Sequence, residues 1–145
     1  MTELNHAKHG VGQSRYHLVL GTKYHCKVFE HSYPKKVCMD GLRKAAEDHG
    51  IEIIEMEVMP DHAHLFVNLP PDMSVSKAFQ LFKGVSGRLF FKKCTKWRDF
   101  LSKNGERQPH LWSAGKYFGS VGDVTPDVLR NYITNGQKKH GDKDD

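Results

Sequence analysis

Pro60-Asp61 and Pro70-Pro71-Asp72 bracket a stretch, His62 to Leu69, in which apolar and polar side chains alternate residue by residue. A period of two is the signature of a β-strand, because successive side chains leave the backbone on opposite faces. Ala63, Leu65, Val67 and Leu69 then share one face, and His62, His64, Phe66 and Asn68 share the other. An apolar face needs a cover, so the chain is committed to a layered fold with helices on that side. The histidines are expected on the opposite, more accessible face.

The flanking segments supply the other layers. Tyr16 to Tyr24 alternates in the same way and reads as a first strand. Pro34 stands where a first helical turn tolerates proline, and Val37, Leu42, Ala45, Ala46 and His49 follow at helical spacing up to the stop at Gly50. Ile51 to Met59 reads as a second strand, turned by Pro60-Asp61 into the third. Ser74 is placed to cap a second helix, whose apolar positions Val75, Ala78, Phe82, Val85 and Leu89 step by three and four. Lys92 to His110 mixes charge, Gly and Pro and reads as an irregular connection carrying a short helix. Tyr117 to Val121 suits a fourth strand, and Thr125-Pro126-Asp127 starts a last helix running to about Gln137. The order strand, helix, two strands, helix, strand, helix predicts an α+β fold: a ferredoxin-like or RRM-like antiparallel sheet with helices on one face, plus a C-terminal helix.

Size and composition fit one domain over residues 1–145, with a loose arm at 1–14 and a charged tail at 138–145. A mean hydropathy of −0.62 and the absence of any apolar run near the roughly 20 residues of a membrane span predict a soluble chain. With no signal-peptide pattern at its start, the expected location is the cytoplasm and no membrane partner is expected. Cys26, Cys38 and Cys94 form no Cys-x-x-Cys pair and read as reduced packing residues. A formal charge of +5 suits a phosphate-rich partner without requiring one.

Two histidines at i and i+2 of a strand have Cβ atoms about 6.5–7 Å apart. Both imidazoles then reach one divalent ion at about 2.0–2.1 Å, although the pattern equally suits polar residues of a half-exposed strand. Tyr132 is similarly open: Val128, Leu129 and Tyr132 share a helical stripe, so packing alone accounts for it. Tyr117 is the rival hydroxyl.

Context narrows the choice. Met56-Glu57-Val58-Met59-Pro60-Asp61-His62-Ala63-His64-Leu65, preceded by Tyr16-His17-Leu18-Val19 and followed by Leu111-Trp112 and Tyr132-Ile133, resembles the single-tyrosine HUH transposases of the IS200/IS605 insertion-sequence family. The resemblance runs from about Tyr16 to Gln137. It implies that His62 and His64 bind a catalytic divalent metal, Mg²⁺ or Mn²⁺, and that Tyr132 attacks single-stranded DNA to form a 5′-phosphotyrosine. Cutting and rejoining at element ends would then need no nucleotide cofactor, and the chain has no Gly-x-x-x-x-Gly-Lys loop. A homodimer and DNA hairpins are the implied partners.

The chain departs from the family pattern at one position. The family's third metal ligand is commonly a glutamine four residues after the tyrosine, about 400° around a helix and so nearly on its face. Gly136 stands there, and Gln137, one residue later, points about 140° away from Tyr132 on a regular helix. Gln137 is the expected ligand if the helix widens or ends near Gly136; Asn135 and His140 are the alternatives, as is an impaired copy. Lys83, Arg88, Lys92 and Lys93, with Lys77, Lys96 and Arg98 around them, form the densest positive stretch and are the expected DNA contacts. Trp112 and Phe118 are candidates for base stacking or for the core. Two other readings fit the chain: a non-catalytic RRM-like nucleic-acid-binding module, and a domesticated tyrosine nuclease acting on repeat hairpins.

Overall fold

A computed structural model describes residues 14–101 and 110–120. Four strands, β1 (Arg15–Gly21), β2 (Glu52–Met59), β3 (His62–Asn68) and β4 (Tyr117–Ser120), alternate with helices α1 (Ser32–His49), α2 (Val75–Lys93) and α3 (Thr95–Leu101). The sheet order is β2-β3-β1-β4 with every pairing antiparallel, the order of a ferredoxin-like sandwich. The α+β fold expected from the alternation is the one observed.

Local chemistry accounts for the boundaries. Gly50 ends α1 in the left-handed conformation at φ 71°, where its N–H and that of Ile51 both reach the Ala46 carbonyl. Ser74 starts α2 by accepting the Lys77 N–H at 3.0 Å. The first strand is shorter than the alternation suggests. It stops at Gly21 because Tyr24 and His25 take positive φ values of 61° and 56°, turning Lys23–His25 into a single 3₁₀ turn.

Leu18, Leu20, Ala63, Leu65 and Val67 form the buried sheet face under α1 and α2. Two details of the helical stripes are corrected. His49 is exposed, because it falls in the last turn of α1 beyond the sheet's cover. In α2 the buried seam runs through Ala78, Phe79, Phe82, Ser86 and Phe90, while Val85 and Leu89 are only half-buried. Ser86 takes the central place because α1 crosses there on Gly41; a Cβ at Gly41 would stand 2.7 Å from the Ser86 Cα. Cys26, Cys38 and Cys94 are free thiols, the last two buried, and burial pushes the Cys38 thiol up. Among the described residues no helix is long and apolar enough to cross a membrane. The expected end of the fourth strand at Val121 and the last helix, Thr125 to Gln137, lie outside the described residues.

Candidate metal and nucleic-acid sites

The register of the sheet assembles the polar face around β3. His62 is opposite Gly21 and Met59, His64 opposite Val19 and Glu57, and Phe66 opposite His17 and Glu55. The His17 ring stacks between its neighbours, 5.3 Å from His64 at 11° and 4.6 Å from Phe66 at 18°. This face is less accessible than the alternation implies: His64 is only 4% exposed and Val19 is fully buried. The stacked His17 on one side and Val19 at the opposed position help take the imidazole out of solvent. Burial holds the His17 pKa below its ordinary value, with the Glu55 charge opposing in smaller measure. An open cavity of about 490 Å³ against β2 is lined by Glu55, Met56, Glu57 and His64.

His62 is held from the preceding residue. Its Nδ1 lies 2.9 Å from Asp61 Oδ1, and this hydrogen bond keeps the Asp61 carboxyl below the usual carboxylate range against the opposing effect of burial. The other ring nitrogen, Nε2, is buried and has no hydrogen-bond partner among the described residues. A buried acceptor in that condition fits a cation ligand, and the histidine pair suits a divalent ion. No cluster of three or more His, Cys, Asp or Glu side chains that would complete such a site occurs among the described residues. Tyr132 and Gln137, with the alternatives Asn135 and His140, lie outside them.

On the helical side, a second cavity of about 510 Å³ opens between α2 and the segment before β4. Gly84 and Gly87 leave part of its floor without side chains, Phe91 and Trp112 supply apolar walls, and Lys23, Arg88 and His110 bring basic groups. Among the described residues its lining includes no carboxylate. Lys83 belongs to the same cavity, but its ammonium donates to the carbonyls of Ser113 and Gly115, each at 2.8 Å. Burial, aided by the nearby Lys116 charge, lowers its pKa to about 8. The structure therefore gives Lys83 a clasping task first. Arg88, Lys92 and Lys93 are exposed along α2, as are Lys77, Lys96 and Arg98 nearby. Trp112 is core, 6% exposed, whereas Phe118 stands 47% exposed. Tyr117 sits in β4, half-buried opposite Val19.

Sequence reasoning missed His17 as a neighbour of the pair, although its place in the alternation of β1 put it on the correct face. It also missed the two bare positions, Gly84 and Gly87, whose signal was the presence of glycine inside a strong helix.

Comparison with known proteins decides the family. Residues 10–136 match the family described as "Transposase IS200 like", a span that includes His62, His64 and Tyr132. The chain belongs to the IS200-like transposases. This transposase is 28% identical over 137 residues, 94% of each chain, to the ISDra2 transposase TnpA of Deinococcus radiodurans. It is 30% identical over 119 residues, 82% of its own length and 74% of the relative's, to the transposase for insertion sequence element IS200 of Salmonella typhimurium. Its fold is similar to a crystal structure from Deinococcus radiodurans assigned as a transposase, with a TM-score of 0.70 at 28% identity, covering 86% of this chain and 92% of that one. A REP-associated tyrosine transposase bound to a REP hairpin shares the fold at 17% identity, with a TM-score of 0.54 over 90% of this chain and 70% of that one.

Proposed function

We propose that this transposase cuts and rejoins single-stranded DNA at insertion-sequence ends through Tyr132, with a divalent metal, Mg²⁺ or Mn²⁺, held by His62 and His64 and completed by Gln137. The observation that carries this reading is the buried Nε2 of His62, which has no partner among the described residues, on a strand whose next residue on the same face is His64. A tyrosine hydroxyl, with an ordinary pKa near 10, is a weak nucleophile toward an anionic phosphodiester. The bound ion would supply positive charge at the phosphate oxygens where negative charge develops. Tyr132 attacks phosphorus; its oxygen-to-phosphorus bond forms, the bond to the 3′ oxygen breaks, and the phenolic proton passes in net to that oxygen. The products are a 5′-phosphotyrosine and a free 3′ hydroxyl, and reversal onto a new 3′ end rejoins the strand.

The DNA partner is a single strand folded into hairpins. The exposed Arg88, Lys92 and Lys93, with Lys83 shaping the adjoining cleft, form its seat on the helical side. The working unit is a homodimer.

The test is incubation with single-stranded DNA covering both flanks of the gene, with Mg²⁺ or Mn²⁺, followed by denaturing electrophoresis and peptide mass spectrometry. A metal-dependent adduct on Tyr132 that is lost in Tyr132→Phe is expected. Tight binding of the same strands without any adduct would overturn the reading in favour of a non-catalytic binding protein.

A further inference from the structure

We propose that Asp61 is the positioning residue of the histidine pair: by accepting the Nδ1–H of His62 it fixes the tautomer whose Nε2 lone pair is available to a divalent cation. The inference rests on the metal site of the proposed function and goes beyond it by assigning a role to a residue outside the ligand set.

A neutral imidazole carries one N–H and one bare nitrogen, and a carboxylate can only accept. With Asp61 Oδ1 2.9 Å from Nδ1, the proton belongs on Nδ1 and Nε2 is the bare nitrogen. That nitrogen is the buried one with no hydrogen-bond partner among the described residues. In the other tautomer the carboxylate would face a lone pair, and a buried N–H would be left without an acceptor; both changes are unfavourable. Carboxylate partners hold the orientation of many metal-bound histidines in this way.

The turn that bears Asp61 is fixed independently of the side chain. The Thr22 N–H donates to the Asp61 carbonyl at 3.0 Å and the Phe29 N–H to the Pro60 carbonyl at 3.0 Å. Asp61 is thus anchored through its backbone to the loop after β1, which leaves its carboxylate free to set the ring of its neighbour.

The test uses the full-length protein and two variants, Asp61→Ala and Asp61→Asn, with two readouts. Nitrogen-15 NMR of the metal-free protein reports the tautomers of His62 and His64, and Mn²⁺ titration followed by electron paramagnetic resonance reports metal affinity. Wild type should show the Nδ1–H form at His62. Asp61→Ala should lose that form and weaken Mn²⁺ binding by about 10–100-fold. Asp61→Asn, whose amide oxygen still accepts, should keep the Nδ1–H form and bind Mn²⁺ more tightly than Asp61→Ala. His64 signals unchanged in both variants would show that the sheet is intact. Wild type that binds Mn²⁺ while Asp61→Ala binds it within twofold overturns this inference alone. An Nε2–H form at His62 in wild type overturns it as well. Wild type with the Nδ1–H form that binds no Mn²⁺ overturns the metal site of the proposed function and this inference with it.

Discussion

Trp112 donates its indole N–H to Ser86 Oγ at 2.9 Å, and Ser86 in turn donates to the Phe82 carbonyl at 2.6 Å. The pair joins the segment before β4 to the middle of α2 inside the core, where an unpaired donor is expensive. Ser86→Ala should therefore cost about 1–3 kcal/mol in urea denaturation, because it strands the indole N–H. Trp112→Phe should cost less in the Ser86→Ala background than in wild type. Equal costs in the two backgrounds would show that the bond contributes nothing.

Glycines in α1 and α2 should respond in opposite ways. Gly41→Ala drives a methyl against the Ser86 backbone and should destabilise by about 1–3 kcal/mol. Among the described residues a Cβ at Gly87 meets nothing within 4 Å, so Gly87→Ala should stabilise by about 0.5–1 kcal/mol. Gly87→Leu should leave the fold intact but fill the basic cleft and weaken hairpin binding, measured by fluorescence anisotropy. Undiminished binding by Gly87→Leu would remove the cleft from the DNA seat.

Lys83 ties stability to alkaline pH. Its pKa is about 8 in the fold against an ordinary 10.5, so the unfolded chain holds its proton longer as pH rises. The cost of burying the cation is fully present below pH 8 and is relieved between about pH 8 and 10.5. Both carbonyl bonds survive, because a neutral amine still has two N–H donors for Ser113 and Gly115. Denaturation curves should show wild type gaining stability over that window relative to Lys83→Met. A constant difference between the two proteins would contradict the depressed pKa.

Arg88 and Lys36 should separate in their salt dependence. If Arg88 meets one phosphate, Arg88→Ala weakens DNA binding and reduces the slope of log affinity against log salt by about 0.7–0.9. Lys36, paired with Asp40 at 2.9 Å on α1, is the control and should change neither quantity. Equal effects of the Arg88 and Lys36 substitutions would mean that only net charge matters.

A tyrosine that serves the partner subunit's histidines would make the defects complementary. Mixed His64→Ala and Tyr132→Phe chains should then recover adduct formation that neither shows alone. No recovery in verified heterodimers would assign both parts to one subunit.

Much of this site was legible in the chain because it depends on local pattern. His62 and His64 follow from a period of two between prolines, and the Ser74 cap from a side chain at the start of an apolar stripe. The rest depends on partners distant in sequence. The burial of His64 requires the β1–β3 register that sets Val19 opposite it and brings His17 alongside. Ser86 in a core seam makes sense only once Trp112, 26 residues away, is seen to bond it. Lys83 looks like any surface lysine until the carbonyls of Ser113 and Gly115 fold back over it.

The joint at Thr22 ties the two candidate sites into one piece of backbone. Its N–H holds the Asp61 carbonyl, it bridges to Trp112, and its neighbours exchange hydrogen bonds with Leu111 and Ser113. A lineage that adapts this cleft to a new ligand therefore meets a rule of inheritance. The cleft can be retailored by exchanging side chains at its rim, but an insertion between 111 and 113 would shift the histidine turn on the other side of the sheet. Divergence in recognition should accumulate as substitutions there, with chain length across that segment held constant.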